Sequence, residues 1–136
     1  MALNTYLFFD GQCGEAFDFY REVFGGEFAA RMTTADAPAE VPVDRTDPDR
    51  IMHVSLPIGS SVLMGSDMRG TGAPSAFSIS YSAASREEAD AKHAALSAGG
   101  GSTTMPMEDV FWGSYFGAVR DRFGVSWQVS HDPARS

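Results

Sequence analysis

The chain has 136 residues, 43% of them hydrophobic, enough for one folded domain with a core of useful size. Its formal charge of -8 excludes a phosphate-binding surface of clustered Lys and Arg, so nucleic acid is not an expected partner. The single cysteine, Cys13, excludes an internal disulfide and any cysteine-built metal centre. No run reaches the length of a membrane span, and the N-terminus lacks a basic segment followed by an apolar one. A cytoplasmic protein with no membrane partner is the expectation.

Residues 2–9 are aromatic-rich with weak alternation and predict a strand. A helix follows, because Cys13, Ala16, Phe17, Tyr20, Val23 and Phe24 recur at the spacing of one buried face. On that face Cys13 acts as a small buried hydrophobe. Gly25 and Gly26 stop the helix. A strand is predicted over 27–33. Then comes a Pro- and Asp-rich stretch over 35–49, without periodicity, read as a mobile loop. Strands over 50–57 and 61–66 meet at a turn around Gly59.

Residues 67–74 form a Gly-rich connection, and the order then restarts. A strand is predicted over 75–82. Ser85 caps a second helix, and Glu88 three residues later completes a capping box. Gly99, Gly100 and Gly101 end that helix, and His93 reads as a residue of its surface. Strands over 102–108, 114–121 and 124–131 complete the chain, with His131 in a frayed end. Residues 111–127 read F-W-G-x-x-F-G-x-V-x-D-x-F-G-V-x-W, two runs about a hairpin turn at 121–124. Asp121 beside that turn is placed to accept backbone N–H bonds. Strand, helix and three strands therefore occur twice, each time over about sixty to seventy residues. This divides a single domain, 1–136, into module one (1–66) and module two (74–132).

The Y-L-F-F-D-G run at 6–11, the helical E-A-F-D-F-Y-R-E-V-F-G-G at 15–26 and the 111–127 segment together resemble the PhnB-like branch of the vicinal-oxygen-chelate superfamily. That superfamily includes glyoxalase I, bleomycin-resistance proteins and extradiol dioxygenases. The likeness extends over nearly the whole chain. It implies an α+β fold of two βαβββ modules, whose concave mixed sheets surround a cleft, and a homodimer that covers exposed sheet edges.

Strand parity then nominates the site. Side chains alternate between the faces of a sheet. Val125, Trp127 and Val129 oppose Ser126, Gln128 and Ser130. Phe77, Ile79 and Tyr81 oppose Ser78, Ser80 and Ser82, while Met52, Val54 and Leu56 oppose His53 and Ser55. The apolar sets should cover the helices. The other face then carries His53, Ser55, Ser78, Ser80, Ser126 and Gln128. It is either a solvated sheet surface or, as the resemblance implies, the lining of the cleft. Met64, Trp112 and Phe116 supply apolar walls beside those polar groups, with Trp112 in the core or on the rim. His53 is the candidate general acid or base, or else a structural hydrogen-bond partner. The substrate-binding candidates are Ser55, Met64, Ser78, Trp112, Phe116 and Gln128.

The resemblance also implies a divalent cation held by His, Gln or Glu from the first and last strands of each module. Those strands offer Asn4 or Thr5, Met64, Ser78 or a neighbour, and Gln128, of which Gln128 alone is a usual ligand type. No cofactor is therefore expected. A divalent metal on His53, Gln128 and a loop carboxylate is the alternative. Relatives in this branch carry a methyltransferase label, but Gly99, Gly100 and Gly101 end a helix, whereas a nucleotide loop opens one. Three functions stand open: a metal-independent binder of a small molecule, a glyoxalase- or dioxygenase-type enzyme with a non-standard centre, and a structural or regulatory dimer with a degenerate cleft.

Overall fold

The computed structural model describes residues 2–71 and 77–133, so the expectations that fall on 72–76 lie outside the described residues. The chain divides into two units, Met1–Gly72 and Ala73–Ser136. Each has a strand, a helix and three further strands, and each forms a four-stranded mixed sheet. Among the described residues, no helix is long and apolar enough to cross a membrane.

The first unit runs β1 (Thr5–Phe9), α1 (Cys13–Phe24), β2 (Ala30–Thr33), β3 (Ile51–Ile58) and β4 (Ser61–Asp67). Its sheet order is β1-β4-β3-β2, with β1 parallel to β4 and the other pairs antiparallel. Parity places Leu7, Gly65 and Val54 in one row under α1. The helix sits so close there that a methyl on Gly65 would lie 2.7 Å from Phe17 Cε1. Cys13, Ala16, Phe17, Tyr20 and Val23 are buried as the spacing predicts. Phe19 is buried as well, whereas Phe24 is only half-buried.

Gln12 precedes α1 without a side-chain cap. The free N–H groups of the helix start find Asp67 instead, at the end of β4. Its Oδ1 accepts from Gly11 (2.8 Å) and Cys13 (3.0 Å), and its Oδ2 accepts from Ile51 (2.9 Å). The stretch after β2, expected to be a mobile loop, has internal structure. A turn of 3₁₀ helix (Thr34–Asp36) opens it. Arg45 then donates to the carbonyls of Thr34, Ala37, Pro38 and Val41, and Thr34 Oγ1 donates to Asp47 O at 2.6 Å. Side-chain-to-backbone bonds have no periodicity, which is why pattern reading missed them.

The second unit runs β5 (Ile79–Ser82), α2 (Arg86–Ser97), β6 (Ser102–Asp109), β7 (Tyr115–Arg120) and β8 (Ser126–His131), in sheet order β5-β8-β7-β6. Trp127, Val129, Val119 and Val125 are buried. Phe77, expected on the helix-covered face, precedes β5 and is exposed. Ser85 Oγ accepts from Glu88 N at 3.0 Å, but the other half of the capping box is displaced. Glu88 Oε1 accepts from Ala84 N rather than from the capping residue.

Two histidine expectations are corrected. His93 is buried, because with Ala89 and Leu96 it forms the inward stripe of α2. Its Nε2 donates to Met105 O at 2.9 Å, which satisfies the imidazole there. His131 is no frayed end. It shares the inward parity of Trp127 and Val129, and its Nδ1 donates to Ala83 O at 3.0 Å.

Candidate functional site

The helix covers one face of each sheet, and the opposite face carries the candidate site residues. In the first unit, β1 sends Tyr6 and Phe8 to that face while Leu7 and Phe9 go under the helix. Register sets Tyr6 beside Met64 and Met64 beside Ser55, and it pairs His53 with Met32. Of the predicted site residues, His53, Ser55 and Met64 are therefore neighbours on one surface. Ser55 is buried within it, and His53 and Met64 are half-buried. Tyr6, Phe8 and Met32 are 37%, 41% and 45% exposed, so the surface is aromatic and thioether-rich rather than hydroxyl-lined.

A hydrogen bond of 3.2 Å joins Tyr6 Oη to His53 Nδ1, with the rings stacked at a centroid distance of 5.8 Å. Phe8 continues the row, 5.1 Å from Tyr6. His53 thus has a phenol for a partner where sequence reading found none. With Nδ1 engaged, Nε2 is the nitrogen left to meet a ligand. Tyr6 and Phe8 escaped the sequence reading because residues 6–9 are all aromatic or apolar, and period two shows no contrast there.

The second unit's open face is built differently. β5 and β8 set Ser80 beside Gln128 and Ser82 beside Ser130, and β7 adds Phe116 and Ala118. Ser126, Gln128 and Ser130 are half-buried, alternating with buried Trp127, Val129 and His131. Ser78 is exposed ahead of β5, outside the paired rows. Trp112 is not core. It lies in the β6–β7 turn, 60% exposed, with its ring 5.9 Å from Phe116 and 5.0 Å from the 96% exposed Phe111.

Asp121 lies behind this face and is buried. Oδ1 accepts from Phe123 N (2.9 Å) and Val125 N (3.0 Å), and Oδ2 accepts from the Trp127 indole at 2.9 Å. All three bonds hold the hairpin, and none faces a ligand. Cys13 is equally inert. Burial, aided by the Asp67 carboxylate, pushes its thiol from 9.0 up to about 12.

The donor chemistry does not suit a divalent cation of the kind the resemblance implies. On the first and last strands, the open faces offer a phenol and a thioether in one unit, and hydroxyls with one amide in the other. Such groups hold borderline or hard divalent ions poorly. Among the described residues, no three of His, Cys, Asp and Glu converge on a point.

Comparison with known proteins accords with this fold. Protein YjdN of Escherichia coli is 29% identical over 140 residues, spanning 96% of this chain and 95% of that protein. Protein PA1353 from Pseudomonas aeruginosa is 38% identical, with a TM-score of 0.86 over 97% of this chain and 98% of its own. A PhnB protein from Bacillus cereus, 23% identical, shares the fold with a TM-score of 0.77 over 96% of this chain and 99% of its own. The two mixed sheets with their two helices are the α+β, two-module vicinal-oxygen-chelate architecture. With the model of the Glyoxalase/Bleomycin resistance protein/Dioxygenase superfamily matching residues 2–129, this chain belongs to that superfamily.

Proposed function

We propose that this protein binds a small organic molecule on the open faces of its sheets, without the divalent-metal centre usual in such proteins. The observation that carries the reading is the first unit's open face. Tyr6, Phe8 and Met32 stand exposed beside His53, an apolar and aromatic surface with few polar groups, as ligand sites generally are. Met64 and Ser55 are the candidate ligand contacts on the first unit's face; on the second unit's face they are Phe116, Trp112 and Gln128, with Ser78 at its margin. The donor types on these faces, a phenol, a thioether, hydroxyls and one amide, support the metal-free half of the proposal. In this reading the protein is a cytoplasmic homodimer, and light scattering on the purified protein tests the dimer.

Elemental analysis of untagged protein, dialysed against excess Zn²⁺, Ni²⁺, Mn²⁺ and Fe²⁺ without chelator, is the test. Retention of less than a tenth of an equivalent per chain is the expected result. About one equivalent would overturn the proposal and favour metal-assisted chemistry.

The Tyr6–His53 bond supports a second reading, in which the bound molecule undergoes acid–base chemistry at His53 Nε2. His53→Ala should then abolish turnover of any substrate found while leaving the unfolding transition in place. Unchanged turnover in that variant would remove His53 from the chemistry.

A further inference from the structure

The second unit's open face has a charge polarity that the first unit's lacks. β7 puts Phe116, Ala118 and Arg120 on it, and register sets Arg120 beside Ser126, Ala118 beside Gln128, and Phe116 beside Ser130. The chain carries 18 acidic residues against 10 Lys and Arg, and most of its arginines are engaged. Arg21, Arg31, Arg50, Arg69 and Arg86 pair with carboxylates, and Arg45 is spent on four carbonyls. Arg120 is exposed, and among the described residues no hydrogen bond or ion pair engages its guanidinium.

At the other end of the same strand, Glu108 on β6 is paired with Phe116. An anion is therefore drawn to the Arg120 end and repelled from the Glu108 end. Between the two ends stand small or polar side chains, Ala118, Gln128 and Ser80, which leave room for a flat molecule. Beside Phe116, Trp112 adds a second aromatic surface. Four steps along the strand take Phe116 to Arg120, about 13 Å.

From this arrangement we infer that the second sheet selects an aromatic oxyanion. A carboxylate or phosphate head is held in the planar fork of Arg120 with help from Ser126 and Gln128, and the aromatic body lies toward Phe116 and Trp112. Bidentate charge-assisted bonding favours such a head over an uncharged group of the same shape. The inference rests on the small-molecule reading above and adds the ligand's charge and orientation to it.

The test is a titration of ¹⁵N-labelled full-length protein with biphenyl-4-carboxylate, biphenyl-4-yl phosphate and the uncharged biphenyl-4-carboxamide, followed by amide shifts. Both oxyanions should move the amides of Phe116, Ala118, Arg120 and Gln128. At least one should bind about tenfold more tightly than the carboxamide, an advantage of about 1.4 kcal/mol. The ranking of the two oxyanions then tells which head the site prefers. Arg120→Gln, a change at an exposed position, should erase that advantage, whereas Phe116→Ala should weaken all three compounds alike. Equal binding of acid and amide, or an advantage that survives Arg120→Gln, overturns the inference and leaves small-molecule binding intact. Shifts confined to Tyr6, Phe8 and His53 do the same. No shifts on either face with any compound would count against both.

Discussion

Trp127 shows how much one side chain contributes on the covered face of the second sheet. Only 2% of it is exposed, and its indole N–H is bonded to a carboxylate that also organises the hairpin before it. Trp127→Ala removes the packing and the indole N–H bond to Asp121. Chemical denaturation should show a loss of about 3–5 kcal/mol. Cys13 makes the opposite kind of prediction, since nothing about it should react. Its thiol stays protonated to about pH 12 in the folded chain but ionises from about 9 once unfolded. A thiol-specific reagent should therefore label it at neutral pH only after denaturant is added. The stability that this burial confers is complete below pH 9 and lost as the pH rises from 9 to 12. At this scale the sequence was read well where residue type and position agreed, as for Cys13 and Asp121. It was read badly for His93 and His131, where a polar side chain occupies an inward position and is satisfied by a distant carbonyl that no pattern reveals.

Among the elements, the helices and the strand order were legible because apolar periodicity reports which face is covered. The strand edges were less so, since β1 and β5 are shorter than the runs that suggested them. The open faces were legible in part. Ser126, Gln128 and Ser130 contrast with their neighbours, but Tyr6 and Phe8 do not, so an aromatic surface was read as a polar one. The start of α1 is the element-level feature with the largest expected effect. Asp67 takes three backbone N–H groups that the local sequence leaves open, one of them on β3. Asp67→Asn keeps the shape but loses the charge and one acceptor oxygen, which should cost about 1–3 kcal/mol. Hydrogen exchange should show the amides of Gly11, Cys13 and Ile51 opening together in that variant. Unaltered exchange at Cys13 would assign the helix start to another support.

For the molecule as a whole, one connectivity occurs twice with unlike results. Both units bury an aliphatic and aromatic layer beneath a helix, yet one open face presents Tyr6, Phe8 and Met32 and the other presents serines, Gln128 and Arg120. The two units thus share their connectivity and differ in their exposed side chains, as expected when the fold is set by the covered positions. The Asp67 cap carries a further consequence for how such a chain is made. The carboxylate stands 54 residues beyond Cys13, on the strand that also pairs with β1. At typical synthesis rates α1 leaves the ribosome roughly 3–10 s before the group that closes its first turn. Until then the start of α1 lacks the acceptor of its backbone N–H groups, and the sheet that covers Phe17 and Tyr20 lacks the central strand β4.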